Sequence, residues 1–234
     1  MDKENKYLIE SFEKSIFNNV IDFSDDILEI PLDSIIENAT LKELPIVGSI
    51  VGIGKTMIAV RDLHLLKKTI SFISKINDGS ISKENIKKHK ILLEKNKKKK
   101  NRELEYLIIM LDRYNEIKKS DILGNLYLKY IDDEIEFEWN DFCIFAEIIE
   151  KFSIYDYDSL IDVYKKKYIK YNDRYNPLSL TRLQSLGLVD FISGIKFCID
   201  NEECIAQINP LGKCFVEIAF MDKTNNIIPF ELGE

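Results

Sequence analysis

Apolar residues recur at helical spacing along most of the chain. In residues 4–22, Leu8, Phe12, Ile16 and Val20 follow one another at intervals of four, which is the spacing of one face of an α-helix. Similar spacing predicts further helices at 61–76, 104–111, 122–130, 139–152 and 158–170. The sequence therefore predicts a mainly α-helical protein.

The pattern changes after Pro177. Leu180, Leu183 and Leu186 predict a short helix that stops at Gly187, because glycine is favoured just past a helix end. Strands are then expected at 188–192, 195–199 and 203–208, with a turn at 193–194 and a final helix at 210–220. This order of helix, strand, turn, strand and helix predicts a winged-helix-like α+β module at the C-terminus.

Charge divides the chain into blocks. The protein has a net charge of −7, yet residues 44–119 carry 18 basic and 8 acidic side chains and lie between acidic stretches. Together with the change of pattern, this predicts an acidic N-terminal helical region at 1–42, a helical domain at 43–152 and the winged-helix-like module at 153–234. A basic centre indicates either docking within the molecule or a stripe that binds an anionic partner.

The most unusual segment is LPIVGSIVGIGKTMIAV, at 44–60, in which Lys55 is the one charged residue. Gly48 and Gly52 are four apart, the small-residue spacing that lets two helices approach closely, and Gly54 follows them. We therefore predict that this segment and the helix after it form an apolar helical hairpin. Two uses stay open: a hairpin buried in the core, or a segment that enters a membrane, since 17 residues is the short limit for a span.

The same segment imitates a nucleotide-binding loop. GIGKT, at 52–56, matches the end of a P-loop, but Ser49 stands where that loop needs a glycine whose bare amide wraps the phosphates. The apolar run before Asp112 imitates the partner strand that holds magnesium, yet its leucines have helical spacing. The sequence therefore predicts neither nucleotide hydrolysis nor another enzyme activity.

No cofactor and no metal site are predicted. The acidic stretch 132–143 has neither the glycine nor the final glutamate of a calcium-binding EF-hand. Cys198, Cys204 and Cys214 lack the spacing and the fourth ligand of a zinc site. Because no signal peptide is visible and the cysteines form no paired pattern, we predict a cytoplasmic protein, associated with a membrane if the 44–60 segment inserts.

Several cations are candidate contact residues. Arg61, Lys67 and Lys68 lie on the polar face predicted for the 61–76 helix, where we expect them to meet an anionic surface. Arg174 and Arg182 belong to the winged-helix-like module and would contact phosphates if that module bound nucleic acid. The other cations that would support such binding are Lys196 and the lysine run 95–100.

Three stretches carry a resemblance to a known group of proteins. They are ELPIVGSIVGIGKTMIAVRDLHLLKKTISFI at 43–73, LDRYNEIKKSDILGNLYLKYIDDEIEFEWNDFCIFAEIIE at 111–150, and LTRLQSLGLV with NPLGKCFV at 180–189 and 209–216. Their order resembles that of bacterial and prophage proteins related to the abortive-infection alpha type. The resemblance implies a setting in mobile elements and phage defence. It implies no mechanism, because none of the three stretches is a catalytic motif.

Two functions follow as hypotheses, beside a disfavoured third, a nucleotide-dependent enzyme that would use Lys55 and Thr56. The first is a non-enzymatic phage-defence or phage-exclusion protein that acts through protein–protein or membrane contacts of residues 44–76. Its partner would be another protein, either phage-derived or a second copy of the chain. The alternative is a winged-helix regulator that binds nucleic acid through Arg174 and Arg182.

Overall fold

The structure, a computed structural model, describes residues 3–17, 34, 37–52, 59–132, 137–170, 177–192, 205–222 and 226–228. The chain divides into two compact units, Met1–Phe142 and Cys143–Glu234. Helices make up most of the described residues, and a small three-stranded antiparallel sheet lies in the second unit. The mainly helical fold predicted from the spacing of apolar residues is confirmed.

The first unit is built from helices. They are α1 Lys3–Phe17, α2 Ala39–Lys42, α3 Pro45–Val51, α4 Val60–Ile76, α5 Lys83–Lys95, α6 Lys97–Arg113 and α7 Lys118–Ile131. Helix α8, Trp139–Lys151, begins in this unit and ends in the second. The N-terminus of α5 is capped by Ser82, whose Oγ accepts a hydrogen bond from the Asn85 amide at 3.2 Å, as the first turn of a helix requires.

Helices α4 and α7 make the most extensive helix contact of the first unit. The predicted apolar face of α4 is confirmed by the burial of Leu63, Leu66, Ile70 and Ile73. On the same helix, the Phe72 ring stacks on Phe12 of α1 at 6.0 Å and lies 5.8 Å from Tyr127 of α7, measured between ring centroids. Each fully buried side chain of this size contributes about 1.5–3 kcal/mol, so this core holds the unit together.

The apolar segment 44–60 is interrupted. Helix α3 ends at Gly52, whose φ of 73° is a left-handed conformation that glycine adopts without steric cost. Residues 53–58 lie outside the described part of the chain, and α4 begins after them. Helix α3 packs against α1, where the Ile46 amide donates a hydrogen bond to Ser15 Oγ at 3.1 Å. The segment predicted as a hairpin therefore contains two helices of unequal length, 7 and 17 residues.

The second unit combines helices with the sheet. Its elements are a 3-10 turn at Ile154–Asp156, α9 Tyr157–Lys166, β1 Tyr168–Lys170, α10 Pro177–Ser185, β2 Val189–Phe191, β3 Ile205–Ile208 and α11 Pro210–Ala219. The strand order is β1-β3-β2, and both pairs are antiparallel. Ala206 in the central strand faces Ile169 on one side and Phe191 on the other.

The strands differ in part from those predicted. The helix predicted at 158–170 ends at Lys166, because Lys167 adopts a φ of 66° and the chain then enters β1. Strands β2 and β3 lie within the predicted strands at 188–192 and 203–208, whereas the strand predicted at 195–199 lies outside the described residues.

The core of the second unit is aromatic. The Phe215 ring of α11 lies 5.9 Å from Phe145 and from Phe152, and 5.6 Å from Phe220, in stacked and edge-on arrangements that aromatic rings favour. Helix α11 also comes very close to the start of β2. A Cβ atom built on Gly212 would lie 1.9 Å from the carbonyl oxygen of Leu188, so only glycine fits at this position.

Candidate interaction surfaces

Gly48, the first of the glycines singled out by their spacing, forms no close contact with another helix of the described residues. Gly48 is exposed in the middle of α3, and a Cβ atom built on it would meet nothing within 4 Å. Gly52 serves as the end of the helix, and its amide donates to the Gly48 carbonyl at 3.1 Å. Gly48 therefore supports no close packing within the chain, and its role in packing against a partner stays a prediction. Gly54 and Lys55 lie outside the described residues.

The close helix contact involves a glycine that the sequence did not indicate. A Cβ atom on Gly124 of α7 would lie 2.7 Å from Cγ of Lys75 in α4, closer than such atoms approach in proteins. The missing side chain therefore lets α7 pack tightly on α4. Ser120 lies four positions before Gly124, so the small-residue spacing occurs here too, but nothing in the sequence distinguishes this pair from other small residues in helices.

The cations predicted on α4 are used inside the first unit. Lys67 and Lys68 are buried, so the prediction that they meet an anionic surface is wrong for both. Lys68 Nζ donates to the carbonyl of Tyr114 at 2.7 Å and to that of Asp112 at 3.1 Å, at the C-terminal end of α6. Burial lowers the pKa of Lys68. Lys68 thus satisfies backbone acceptors that a helix end leaves open.

Arg61 is exposed, but it also has a partner. Its Nε donates to Asp112 Oδ1 at 3.2 Å, and Nη2 donates to the other carboxylate oxygen. The hydrogen bond to Asp112, helped by its negative charge, raises the pKa of Arg61. The pair connects the start of α4 to the end of α6, and it occupies the guanidinium that was expected to contact an anionic surface.

The predicted DNA-contact arginine of the second unit is also paired. Arg182 of α10 donates from Nε to Asp156 Oδ2 at 2.7 Å and from Nη2 to Oδ1, a bidentate pair. Asp156 is fully buried in the 3-10 turn, and the hydrogen bond to it raises the pKa of Arg182. The pair links α10 to the 3-10 turn that precedes α9. Arg174 and Lys196 lie outside the described residues.

Large apolar side chains are exposed close in sequence to each member of this pair. Leu178, one helical turn before Arg182 on the same face of α10, is 64% exposed, and Tyr155, next to Asp156 in the chain, is 73% exposed. The outer face of the sheet adds Tyr168 and Ile192, which are also exposed. We call Tyr155 and Leu178 the α10 patch.

The first unit contains a buried polar cluster formed by His89, Glu103, Tyr127 and Tyr130, here called the Glu103 cluster. The hydroxyl of Tyr127 donates to Glu103 Oε1 at 2.7 Å, and His89 Nε2 lies 2.6 Å from the same oxygen. Tyr130 donates to Oε2 at 3.3 Å. Glu103 is only 1% exposed, so these three groups together satisfy a carboxylate that would otherwise be costly to bury.

The Glu103 cluster is a structural network. Burial, and then the charge of Glu103, raise the pKa of Tyr127 well above its ordinary value, so this hydroxyl stays a donor at neutral pH. The cluster lies among rings, with Trp139 5.3 Å from Tyr130 and stacked on Phe142 at 4.9 Å. Because its members bond to one another, the arrangement fixes how α5, α6 and α7 pack.

A groove opens on the first unit between the end of α1, the turn after α4 and the outer side of α5. Its volume is about 290 Å³. Apolar side chains line it: Ile16, Phe17, Ile76, Ile81 and Ile86. Three lysines of α5 stand along one edge: Lys83, Lys87 and Lys90. We call it the lysine-edged groove.

Two of the three lysines along this groove have no opposite charge paired with them among the described residues. Lys83, Lys87 and Lys90 follow at intervals of four and three, which places them on one face of α5. Lys83 and Lys87 are exposed and form no ion pair with another residue that the structure describes. Lys90 is half-buried and already has partners, among them Glu94 at 3.9 Å. The groove therefore combines apolar walls with a positive edge.

Comparisons of the chain with protein families, with curated proteins and with solved structures found no match. None of the helices in the described ranges has the length and apolar character needed to cross a bilayer. Within those same ranges, no group of three or more His, Cys, Asp or Glu side chains is placed to hold a metal ion. Cys143 and Cys214 are half-buried thiols, and Cys198 and Cys204 lie outside the described residues.

Proposed function

We propose that this chain is a non-enzymatic interaction protein whose second unit is a winged-helix-like module that docks another protein. The strand order β1-β3-β2 supports the winged-helix assignment, since α10 stands between β1 and the antiparallel pair of β2 and β3. In such modules the helix before the paired strands is the one presented to a binding partner. Here that helix is α10.

The observation that carries the proposal is the chemistry of the exposed side of α10. A helix that reads DNA presents basic and amide side chains to phosphates and base edges. The one cation of α10, Arg182, is bound to the buried Asp156, whereas Leu178 and Tyr155 are among the most exposed apolar residues that the structure describes. Protein interfaces are enriched in exposed aromatic side chains of this kind and depleted of charge at their centre.

The phage-exclusion setting in this proposal is supported by the sequence resemblance alone. Its test is plaque formation by a panel of phages on cells that express the full chain. Replacing the α10 patch with Tyr155→Ser and Leu178→Ser is expected to abolish protection while leaving the far-UV circular dichroism and the melting temperature unchanged. The matched control is Ile109→Ser, which removes an isoleucine of α6 that is 52% exposed. Protection that survives the α10 patch variant would refute docking through this surface.

A direct binding assay distinguishes this proposal from the alternative, a regulator that binds nucleic acid. Fluorescence anisotropy of a labelled duplex of random sequence, titrated with the full chain at physiological salt, is expected to show no saturation. Saturable binding that Arg182→Ala removes, in a variant that still folds, would favour the regulator. A panel in which the wild-type protein changes no plaque count would remove phage exclusion from the proposal and leave protein docking to be tested by itself.

A further inference from the structure

The lysine-edged groove on the first unit has two properties that rarely occur together by chance. Its walls are aliphatic, with Ile16 and Ile76 almost completely buried beneath it, and its α5 edge carries Lys83 and Lys87 without ion-pair partners in the described chain. An apolar wall favours the binding of a ligand's apolar side chain, because that side chain then leaves water. Unpaired lysines at the edge favour carboxylates next to that side chain. The chemistry that satisfies both is an apolar side chain flanked by acidic ones.

We propose that this groove binds an acidic peptide segment of a partner protein, with its large apolar side chains in the groove and its carboxylates along Lys83, Lys87 and Lys90. This goes beyond the proposed function, which rests on the α10 patch of the second unit. The partner segment places acidic residues at spacings that match the lysines, so that each carboxylate meets one ammonium group.

The size of the groove fits side chains of a peptide. A volume of about 290 Å³ lies at the lower end of pockets that hold ligands, which are roughly 300–1,000 Å³. It therefore accommodates a few apolar side chains and not a whole helix. The lysine edge from Lys83 to Lys90 covers about 10 Å at a helical rise of 1.5 Å per residue. A short segment is long enough to contact all three lysines.

A peptide suits the groove better than a nucleic acid. Single-stranded nucleic acids bind on exposed aromatic rings on which bases stack, with cations that follow the phosphates. The walls here are isoleucines, and the one aromatic ring, Phe17, packs against His89 with 6.4 Å between ring centroids. Burial against aliphatic walls is favourable for leucine, isoleucine and phenylalanine side chains, which a peptide supplies.

The chain itself contains segments of matching chemistry, and one of them follows directly after Phe17. Residues 18–33, NNVIDFSDDILEIPLD, carry five acidic side chains and no basic ones among apolar residues. The experiment must therefore tell a partner's segment from the chain's own. Asp25→Lys with Asp26→Lys reverses charge in that segment and leaves every residue that lines the groove unchanged, and it serves as the separating variant.

The probe is a fluorescein-labelled synthetic peptide in which pairs of leucine and phenylalanine alternate with aspartate and glutamate, titrated with the full chain and followed by anisotropy. Lys83→Glu with Lys87→Glu is expected to weaken peptide binding by about tenfold or more. The matched control, Lys97→Glu with Lys98→Glu, makes the same change of net charge on exposed lysines of α6 and is expected to change affinity less than twofold. Ile86→Ser is expected to weaken binding without altering its salt dependence.

Four results would overturn the proposal. The first is peptide binding that does not saturate at millimolar protein. Equal binding of an otherwise identical peptide with lysine in place of its acidic residues would likewise exclude an acidic ligand. Equal weakening by the two charge-reversed pairs would show an effect of overall charge and not of the groove. A tenfold gain of affinity in the Asp25→Lys, Asp26→Lys variant would show that the chain's own segment competes for the groove, which would refute a partner as its occupant.

Discussion

Two glycine-to-alanine substitutions should have opposite effects on stability, and the structure gives the reason for each. In Gly212→Ala, the new Cβ would lie 1.9 Å from the Leu188 carbonyl oxygen, whereas real contacts of this kind stay above 3.0 Å. Helix α11 must therefore move away from β2 by at least about 1.1 Å, the difference between these two distances. In Gly48→Ala, the new methyl group meets nothing within 4 Å.

The movement of α11 has a further cost because its first turn is anchored. The side chain of Asn209 accepts a hydrogen bond from the Gly212 amide at 2.8 Å and donates one to the Gly187 carbonyl, also at 2.8 Å. Overpacking costs about 1–3 kcal/mol and a lost helix cap about 1 kcal/mol, so we expect Gly212→Ala to destabilise by about 2–4 kcal/mol. Gly48→Ala should instead stabilise by about 0.5–1 kcal/mol, because alanine is favoured over glycine inside an exposed helix.

Thermal unfolding followed by circular dichroism at the helical minimum measures both effects. For a chain of this length, 1 kcal/mol corresponds to about 2–4 °C in Tm, so Gly212→Ala should lower Tm by roughly 4–16 °C and Gly48→Ala should raise it by roughly 1–4 °C. A fall in Tm for Gly48→Ala would mean that something packs on this face of α3 and would revive the close contact predicted from the glycine spacing. An unchanged Tm for Gly212→Ala would refute the tight approach of α11 to β2.

Further expected outcomes concern single polar groups. Arg182→Ala should destabilise by about 1–3 kcal/mol in urea unfolding, because the carboxylate of Asp156 stays buried without its main donor. Burial raises the pKa of Tyr127, so above about pH 10 the folded protein keeps a proton that the unfolded chain releases, and the free energy of unfolding falls as pH rises. Tyr127→Phe should make this fall at alkaline pH smaller. Ser82→Ala should cost about 1 kcal/mol through the lost cap on the Asn85 amide, seen as a lower urea midpoint.

Most helices could be predicted from the sequence because a period of 3.6 residues appears directly in the spacing of apolar positions. Strand β1 could not, since its three residues continue the apolar spacing of α9 and only the left-handed conformation of Lys167 separates the two elements. The sheet was expected near the C-terminus, but the sequence assigned the 168–170 segment to a helix. Short strands give too few positions for a period of two to stand out.

The candidate sites were harder to predict than the elements. Lys68 and Arg182 look like surface cations in a helical pattern, and nothing local shows that their partners lie 46 and 26 residues away in the chain. The groove draws its walls from three helices, so no single motif encodes it. One signal was present in the sequence, because the lysines at 83, 87 and 90 share a helix face with Ile86. The lysine run at 95–100 is denser and was the stretch predicted to support binding.

The contacts of the predicted cations suggest that the groove and the α10 patch should respond differently to added salt. Arg61, Lys68 and Arg182 already have partners within their own units, so we expect attraction to an anionic partner from the edge of the lysine-edged groove, while the α10 patch offers apolar contact. Exposed charges are screened within about 10 Å at 0.1 M salt, whereas burial of apolar surface is not weakened by added salt. Raising sodium chloride should therefore weaken binding of the acidic peptide to the groove several-fold and leave a partner docked on the α10 patch in place. The measurement is the peptide's Kd and the partner's Kd in the same salt series. Parallel loss of both would mean that the α10 patch binds through charge, contrary to its exposed tyrosine and leucine.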